Sequence, residues 1–250
     1  AIATAMSQVV GGMIPLLYFG RKNSSILRLG KTGFDGKAVL KACANGSSEF
    51  MSSVAMSLVS MLYNRQLLKY AGENGVAAYG VMMYVSMIFS AAFNGYTIGT
   101  APVIGYHDGA RNHDELKGLL RKSLMIIGTF AVGMVAAAEL FASPLARIFV
   151  GYDPVLMELT VSGFRIFALS FFFMGYAIFG SGFFTALNDG LTSALISFLR
   201  TLVFQMAAIL ILPLIWGIDG IWISIVVAEF MAVVLTAVFL IYKRKKYHYG

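Results

Sequence analysis

Three carboxylates stand inside apolar stretches of this chain: Glu49, Glu139 and Glu229. An ionisable group in hydrocarbon is costly unless it faces a cavity or a partner, so each is a candidate for chemistry. Glu49 has the most telling surroundings. Asn45, Ser48, Ser52, Ser53, Met56 and Ser60 stand three, four, seven or eight residues from it or from one another, which places them on one helical face. Small residues also let helices approach closely, which accounts for the serines but not for the acid. Burial disfavours the charged form of a carboxylate, and the hydroxyls of Ser48, Ser52 and Ser53 can hydrogen-bond either form. Such a site can alternate between a proton and a cation, so Glu49 is the leading functional candidate of the three.

The other candidates are less sharply placed. Glu139 lies close enough to the end of its apolar run to reach the outer headgroups. Glu229 sits mid-run, where it serves either as interhelical glue or as a cavity liner. Tyr84, Asn94, Tyr176, Phe179 and Gln205 are further cavity candidates, each as readily explained by packing, and Gln205 is also within reach of Arg200 as a partner. Methionine and phenylalanine, at 14 and 20 residues, suit a plastic apolar chamber for greasy cations, though lipid contact and core packing use the same residues.

Several chemistries are excluded. The pairs His107-Asp108 and His113-Asp114 lack a spacing that puts two ligands on one helical face, so no metal site is expected. The single cysteine, Cys43, rules out a disulfide framework and a cysteine cluster. No HExxH, Walker A or nucleophile-elbow pattern appears, so neither an enzyme nor a nucleotide-driven pump is indicated. A purely structural scaffold would not need Glu49.

The elements that position these groups follow from composition. Charged residues are 12% of the chain, half the roughly 25% that wets a soluble domain. They cluster between long apolar runs, which marks an all-α, polytopic membrane protein. Spanning about 30 Å of hydrocarbon takes roughly 20 residues of helix. Seven transmembrane helices are predicted, over 1–20, 42–63, 76–104, 123–142, 166–187, 201–218 and 220–242. The third is long and holds Pro102, which predicts a kink or tilt.

If the spans alternate, 15 of the 19 basic residues fall on one side, including Arg200 and the tail Lys243-Arg244-Lys245-Lys246. The positive-inside rule places that side, with the linker 21–41 and the tail 243–250, in the cytoplasm. The net charge of +7 is therefore a topology signal, and no nucleic-acid partner is expected. The linker reads as a hinge and a surface helix, and a short amphipathic surface helix is predicted over 113–122, capped by Asn112. The chain opens on Ala1-Ile2-Ala3-Thr4, already apolar, which reads as the later part of a longer product lacking an N-terminal lobe.

Four stretches resemble the multidrug and toxic compound extrusion (MATE) family of drug antiporters, which have twelve helices in two six-helix lobes. Ala1-Ile2-Ala3-Thr4 with Ser7-Gln8 is similar to the family's sixth helix, and Pro102–Asn112 to the loop after its eighth. Thr185–Gly190 is similar to the turn after its tenth helix, and Pro213 with Gly217–Trp222 to the turn into its twelfth. The resemblance implies that 1–20 ends a truncated first lobe and that 42–242 is the second. It implies a secondary antiporter in the bacterial cytoplasmic membrane, exporting amphipathic cationic small molecules in exchange for protons or sodium, without a cofactor. An acid on the seventh helix couples transport in the family, and Glu49 falls there. Some members carry an Asp in the tenth helix, whereas here no acid lies between Glu158 and Asp189. A sodium site needs several converging oxygens, so protons are favoured. The alternative is a flippase of lipid-linked sugars from the same broad superfamily, which would need a strongly cationic cavity.

Overall fold

The computed structural model describes residues 2–21 and 36–249, and the side chains of 2–4, 38 and 40–53 fall outside that description. All regular structure among the described residues is helical: α1 (Ile2–Gly20), α2 (Gly36–Gly109), α3 (His113–Val150), α4 (Pro154–Ala168), α5 (Ser170–Ala186), α6 (Gly190–Phe198), a π-helical turn (Leu199–Phe204) and α7 (Gln205–Tyr247). They fall into two compact units, Ala1–Gly46 and Ser47–Gly250. In the first, α1 is apolar over Ala5–Gly20. That stretch is about 24 Å long, short of the hydrocarbon thickness.

In the second unit the longest helices cannot be straight. At 1.5 Å per residue α2 would run about 110 Å. Instead Gly72 adopts φ 63° and ψ −152°, a conformation that glycine reaches without steric cost. The rings of Tyr63 and Tyr79 stack 5.3 Å apart across this point, where a straight helix would hold them about 24 Å apart. The chain therefore doubles back at Gly72. Gly217, at φ 58° and ψ −130°, divides α7 in the same way.

By length and composition, three described stretches can cross a membrane: Val54–Gly109, His113–Val150 and Gly190–Tyr247. Pro154–Ala168 and Ser170–Ala186, bent by 44°, make a fourth if they form one span. That count is lower than the seven expected. Two of the missing spans arise at Gly72 and Gly217, which turn the chain so tightly that helix continues on both sides, and another is α1, whose described apolar stretch is short.

Other boundaries also move outward. α2 continues through Pro102 to Gly109, and α3 runs unbroken from His113 to Val150. The stretch 113–122 is thus the first part of a span rather than a separate surface helix. Three residues make the turn, with Arg111 in the left-handed region at φ 54° and Asn112 accepting from the Glu115 amide at 3.4 Å. The expected span 201–218 begins earlier, at Gly190, because Asp189 caps α6 through the Thr192 amide.

The core is aromatic, with Phe167, Phe171, Phe179, Phe183, Phe184 and Trp222 fully buried. Glycine sets the closest approaches: a Cβ on Gly163 would strike Trp222 and Met82, and one on Gly175 would strike Phe93. These are the small-residue contacts through which helices associate in lipid.

Asp189 ties the end of α7 to the turn before α6. Its carboxylate accepts from Tyr247 Oη at 2.8 Å and from Lys243 Nζ at 3.1 Å. Burial raises its pKa, but the hydrogen bonds from Tyr247, Lys243 and Thr192 outweigh this and hold the carboxyl well below the usual carboxylate range. A depressed folded pKa gives stability that is complete above the unfolded value, about 3.9, and is lost as pH falls through the folded value. Asp189→Asn is therefore expected to cost about 1.5–3 kcal/mol near neutrality. In denaturant unfolding of the purified chain, that difference should shrink only below the ordinary carboxylate range. A constant difference down to strong acid would remove the ion pair from the account.

Candidate functional site

An open cleft of about 930 Å³ lies among the helices of the Ser47–Gly250 unit. Met56, Ser60 and Asn64, one helical turn apart, bring one face of α2 to it. Tyr79, Met83 and Asn94 line it from the part of α2 beyond Gly72. Ile178 of α5 and Arg200, Thr201 and Gln205 around the π-helical turn complete the wall. An adjoining cavity of about 310 Å³ shares Asn94, Ile178 and Arg200.

The walls are methionine, hydroxyl and amide, and one charge. Among the described residues Arg200 alone brings a charge to either cavity. Its Nε donates to both oxygens of Glu229, at 3.1 and 2.9 Å, and its Nη2 donates to Oε1 at 3.0 Å. The Glu229 side chain is 2% exposed and that of Arg200 19%, so the acid meets the cleft only through the cation. The turn carrying Arg200 is π-helical. Single π turns recur at functional sites.

Hydroxyls continue the polar surface. Ser181 Oγ lies 2.9 Å from Ser193 Oγ and 2.8 Å from Ser197 Oγ, and Thr185 Oγ1 lies 2.7 Å from Ser193 Oγ. Asn94 donates to the Ser90 carbonyl at 2.9 Å and to its hydroxyl at 3.1 Å. Deeper in the core, the Tyr63 hydroxyl meets Ser224 Oγ at 2.8 Å, and Ser224 donates to the Ile221 carbonyl.

The structure brings together some of the sequence candidates and separates others. Met56, Asn94 and Gln205 line the cleft, and Glu229 joins it through Arg200. Tyr84 is exposed elsewhere, with its ring parallel to that of Phe149. Tyr176 lies over Gly128 in a groove between α3 and α5. Phe179 is buried in the aromatic core beside Tyr96 and Phe183. The side chains of Asn45, Ser48, Glu49, Ser52 and Ser53 lie outside the described residues. Glu139 is half-exposed, 3.7 Å from Arg165.

The ion pair is the feature that sequence reasoning missed. Arg200 counts as a loop cation in the charge tally, because its apolar run is drawn from Thr201. The available signal was simple: the stretch from Gly190 to Tyr242 holds Arg200 and Glu229 well inside it, and buried charges in lipid pair.

Apolar helices thus surround an open polar cleft, with a neutralised ion pair in its described wall. The chain belongs to the MatE family, whose model matches residues 50–211. Members of this family are transporters, not enzymes. Among curated relatives, the multidrug export protein MepA of Staphylococcus haemolyticus is 21% identical over 243 residues, covering 97% of this chain and 53% of that protein. The probable multidrug resistance protein NorM of Thermotoga maritima is 24% identical over 230 residues, covering 90% and 49%. The chain thus spans about half the length of the curated relatives it matches. An inward-facing structure of a multidrug resistance MATE family transporter superposes with a TM-score of 0.85 at 23% identity, covering 99% of this chain and 57% of that one. An outward-facing structure described in the same terms gives 0.79 at 22%, covering 100% and 56%. At such identity these likenesses establish the fold alone.

Proposed function

We propose that this chain supplies the six-helix second lobe, preceded by the last helix of a first lobe, of a secondary antiporter exporting amphipathic cationic drugs or toxins. The coupling ion in this reading is the proton, with sodium the alternative. The observation that carries it is the cleft: methionines and hydroxyls surround space for a drug-sized molecule, and the one charge that the described residues bring to its wall is already neutralised. Glu49 precedes Met56 by seven residues in α2, so two turns bring it to the register of the cleft-lining face. Because Glu229 is held by Arg200, and Glu139 lies half-exposed beside Arg165, Glu49 is the one of the three carboxylates in apolar stretches left for ion exchange. The names of the curated relatives, a multidrug export protein and a probable multidrug resistance protein, support the substrate class. Alternating access in two-repeat transporters needs both lobes to rock about the site. The test is drug efflux from proteoliposomes holding the protein that contains this chain, with a proton or a sodium gradient imposed separately.

The flippase reading requires cations free to hold a pyrophosphate. Arg200 is the residue that would favour it, but Glu229 takes up its fork of donors.

In this reading the chain has seven spans, six of them in the second lobe, with the linker and tail in the cytoplasm of a bacterial cell. Single cysteines at positions 69 and 147, introduced in a Cys43→Ser background, should react with an impermeant maleimide added outside intact cells. Cysteines at 111 and 246 should react only after permeabilisation. The reverse pattern would invert the topology.

A further inference from the structure

A second groove, of about 980 Å³, lies between α3 and α5, apart from the cleft and sharing none of its residues. Lys117, Arg121, Leu124, Gly128 and Val132 recur along it at three- and four-residue steps, a single stripe down α3. The fifteen helical steps from Lys117 to Val132 cover about 22 Å, more than the roughly 15 Å of one hydrocarbon leaflet. The stripe changes character along its length. Its first turn is cationic, and the rest is apolar, with Val132 56% and Met125 55% exposed.

Across from it, Phe172 and Tyr176 of α5 form the opposite wall. Gly128 makes the room, since a Cβ there would strike the Tyr176 hydroxyl. At the cationic end Tyr249 closes the groove, buried and donating to the Leu240 carbonyl at 2.9 Å. Among the described residues neither Lys117 nor Arg121 enters an ion pair. Asp114 and Glu115, on the first turn of α3, are exposed and do not line the groove.

We propose that this groove binds one anionic phospholipid, its phosphate held between Lys117 and Arg121 and an acyl chain laid along Leu124, Gly128 and Val132 against Phe172. Charge complementarity selects the occupant. Two unpaired cations one turn apart at a membrane boundary attract a phosphate, and an arginine fork matches its oxygens. The apolar length below them suits a chain that reaches the bilayer midplane and gives a soluble anion nothing to bind. The lipid would cover the α3–α5 seam, so it bears on the stability of the bundle independently of what the cleft transports.

The test uses the full chain reconstituted into mixed vesicles of phosphatidylcholine and phosphatidylglycerol, extracted in mild detergent, with the retained lipid counted by native mass spectrometry. The expected result is one phosphatidylglycerol per chain and no matching phosphatidylcholine. Lys117→Gln with Arg121→Gln should lower phosphatidylglycerol retention to the phosphatidylcholine level while helicity and elution volume stay parental. Lys122→Gln with Lys245→Gln, exposed cations outside the groove, should leave retention unchanged. Equal retention of both lipids, survival of binding in the first pair, or equal loss in the second pair would each overturn the proposal. So would displacement of the lipid by inorganic phosphate. Val132→Cys in a Cys43→Ser background gives a separate reading: disulfide-linked dimers in the vesicles would put a second copy in the groove instead of a lipid.

Discussion

Glu49→Gln, introduced into the protein that contains this chain, is expected to reduce gradient-driven drug efflux to the level of protein-free vesicles while leaving expression and helicity unchanged. The amide keeps the shape and hydrogen-bonding reach of the protonated acid but can neither release a proton nor attract a cation. An exchanger whose coupling acid is fixed in one state can bind and still fail to cycle, since an ion gradient does work only through a site that responds to it. The cleft sharpens this expectation. Its one charged lining residue among those described is Arg200, already matched by Glu229, which leaves Glu49 as the acid in register with Met56, Ser60 and Asn64. Glu229→Gln should therefore impair efflux less. Efflux driven by a sodium gradient alone would defeat the choice of proton, and undiminished efflux by the Glu49 variant would remove that residue from the mechanism.

The helical, membrane-embedded character of the chain was legible because lipid imposes it. Apolar runs of about 20 residues have few other uses, and backbone polar groups in hydrocarbon must be satisfied within a helix. One cap could also be read: Asn112 caps the helix that follows it, as short acceptor side chains do, whereas the cap at Asp189 was not read and the helix after it begins earlier than expected. Helix ends were less legible. Hydropathy registers where charge begins, whereas α3 starts at His113 and carries Glu115, Lys117 and Arg121 in its first turns. A polar turn of helix at a membrane surface costs nothing, so charge does not mark where winding stops.

The cleft was partly legible for a different reason. Periodicity finds the face of one helix, which is how Met56 and Ser60 came to share a stripe. It is silent on which helices meet. Tyr84 and Asn94 lie ten residues apart in the same helix, yet Asn94 lines the cleft and Tyr84 pairs with Phe149 elsewhere. Tyr176 and Phe179 lie within one turn of α5 and point to a groove and to the core respectively. No one-dimensional pattern separates these, because in lipid the outward face is as apolar as the inward one.

The ion pair gives the largest expected effect on stability. Glu229→Leu leaves the Arg200 guanidinium largely buried without its counter-charge, and Arg200→Leu strands a carboxylate that is 2% exposed. Either change alone should cost about 3–5 kcal/mol in unfolding free energy, the range for breaking one side of a buried pair. The double variant removes both desolvated charges together and should return close to the parent, because burying a pair recovers little more than the cost of taking it out of water. Arg200→Lys keeps the charge but loses the two-pronged contact through Nε and Nη2, so it should fall between parent and Arg200→Leu. Denaturant unfolding in mixed micelles across this cycle measures the coupling directly. Two single losses that simply add in the double variant would mean that the side chains act independently. The wall of the cleft would then be held by packing, and Arg200 would be free to meet whatever occupies it.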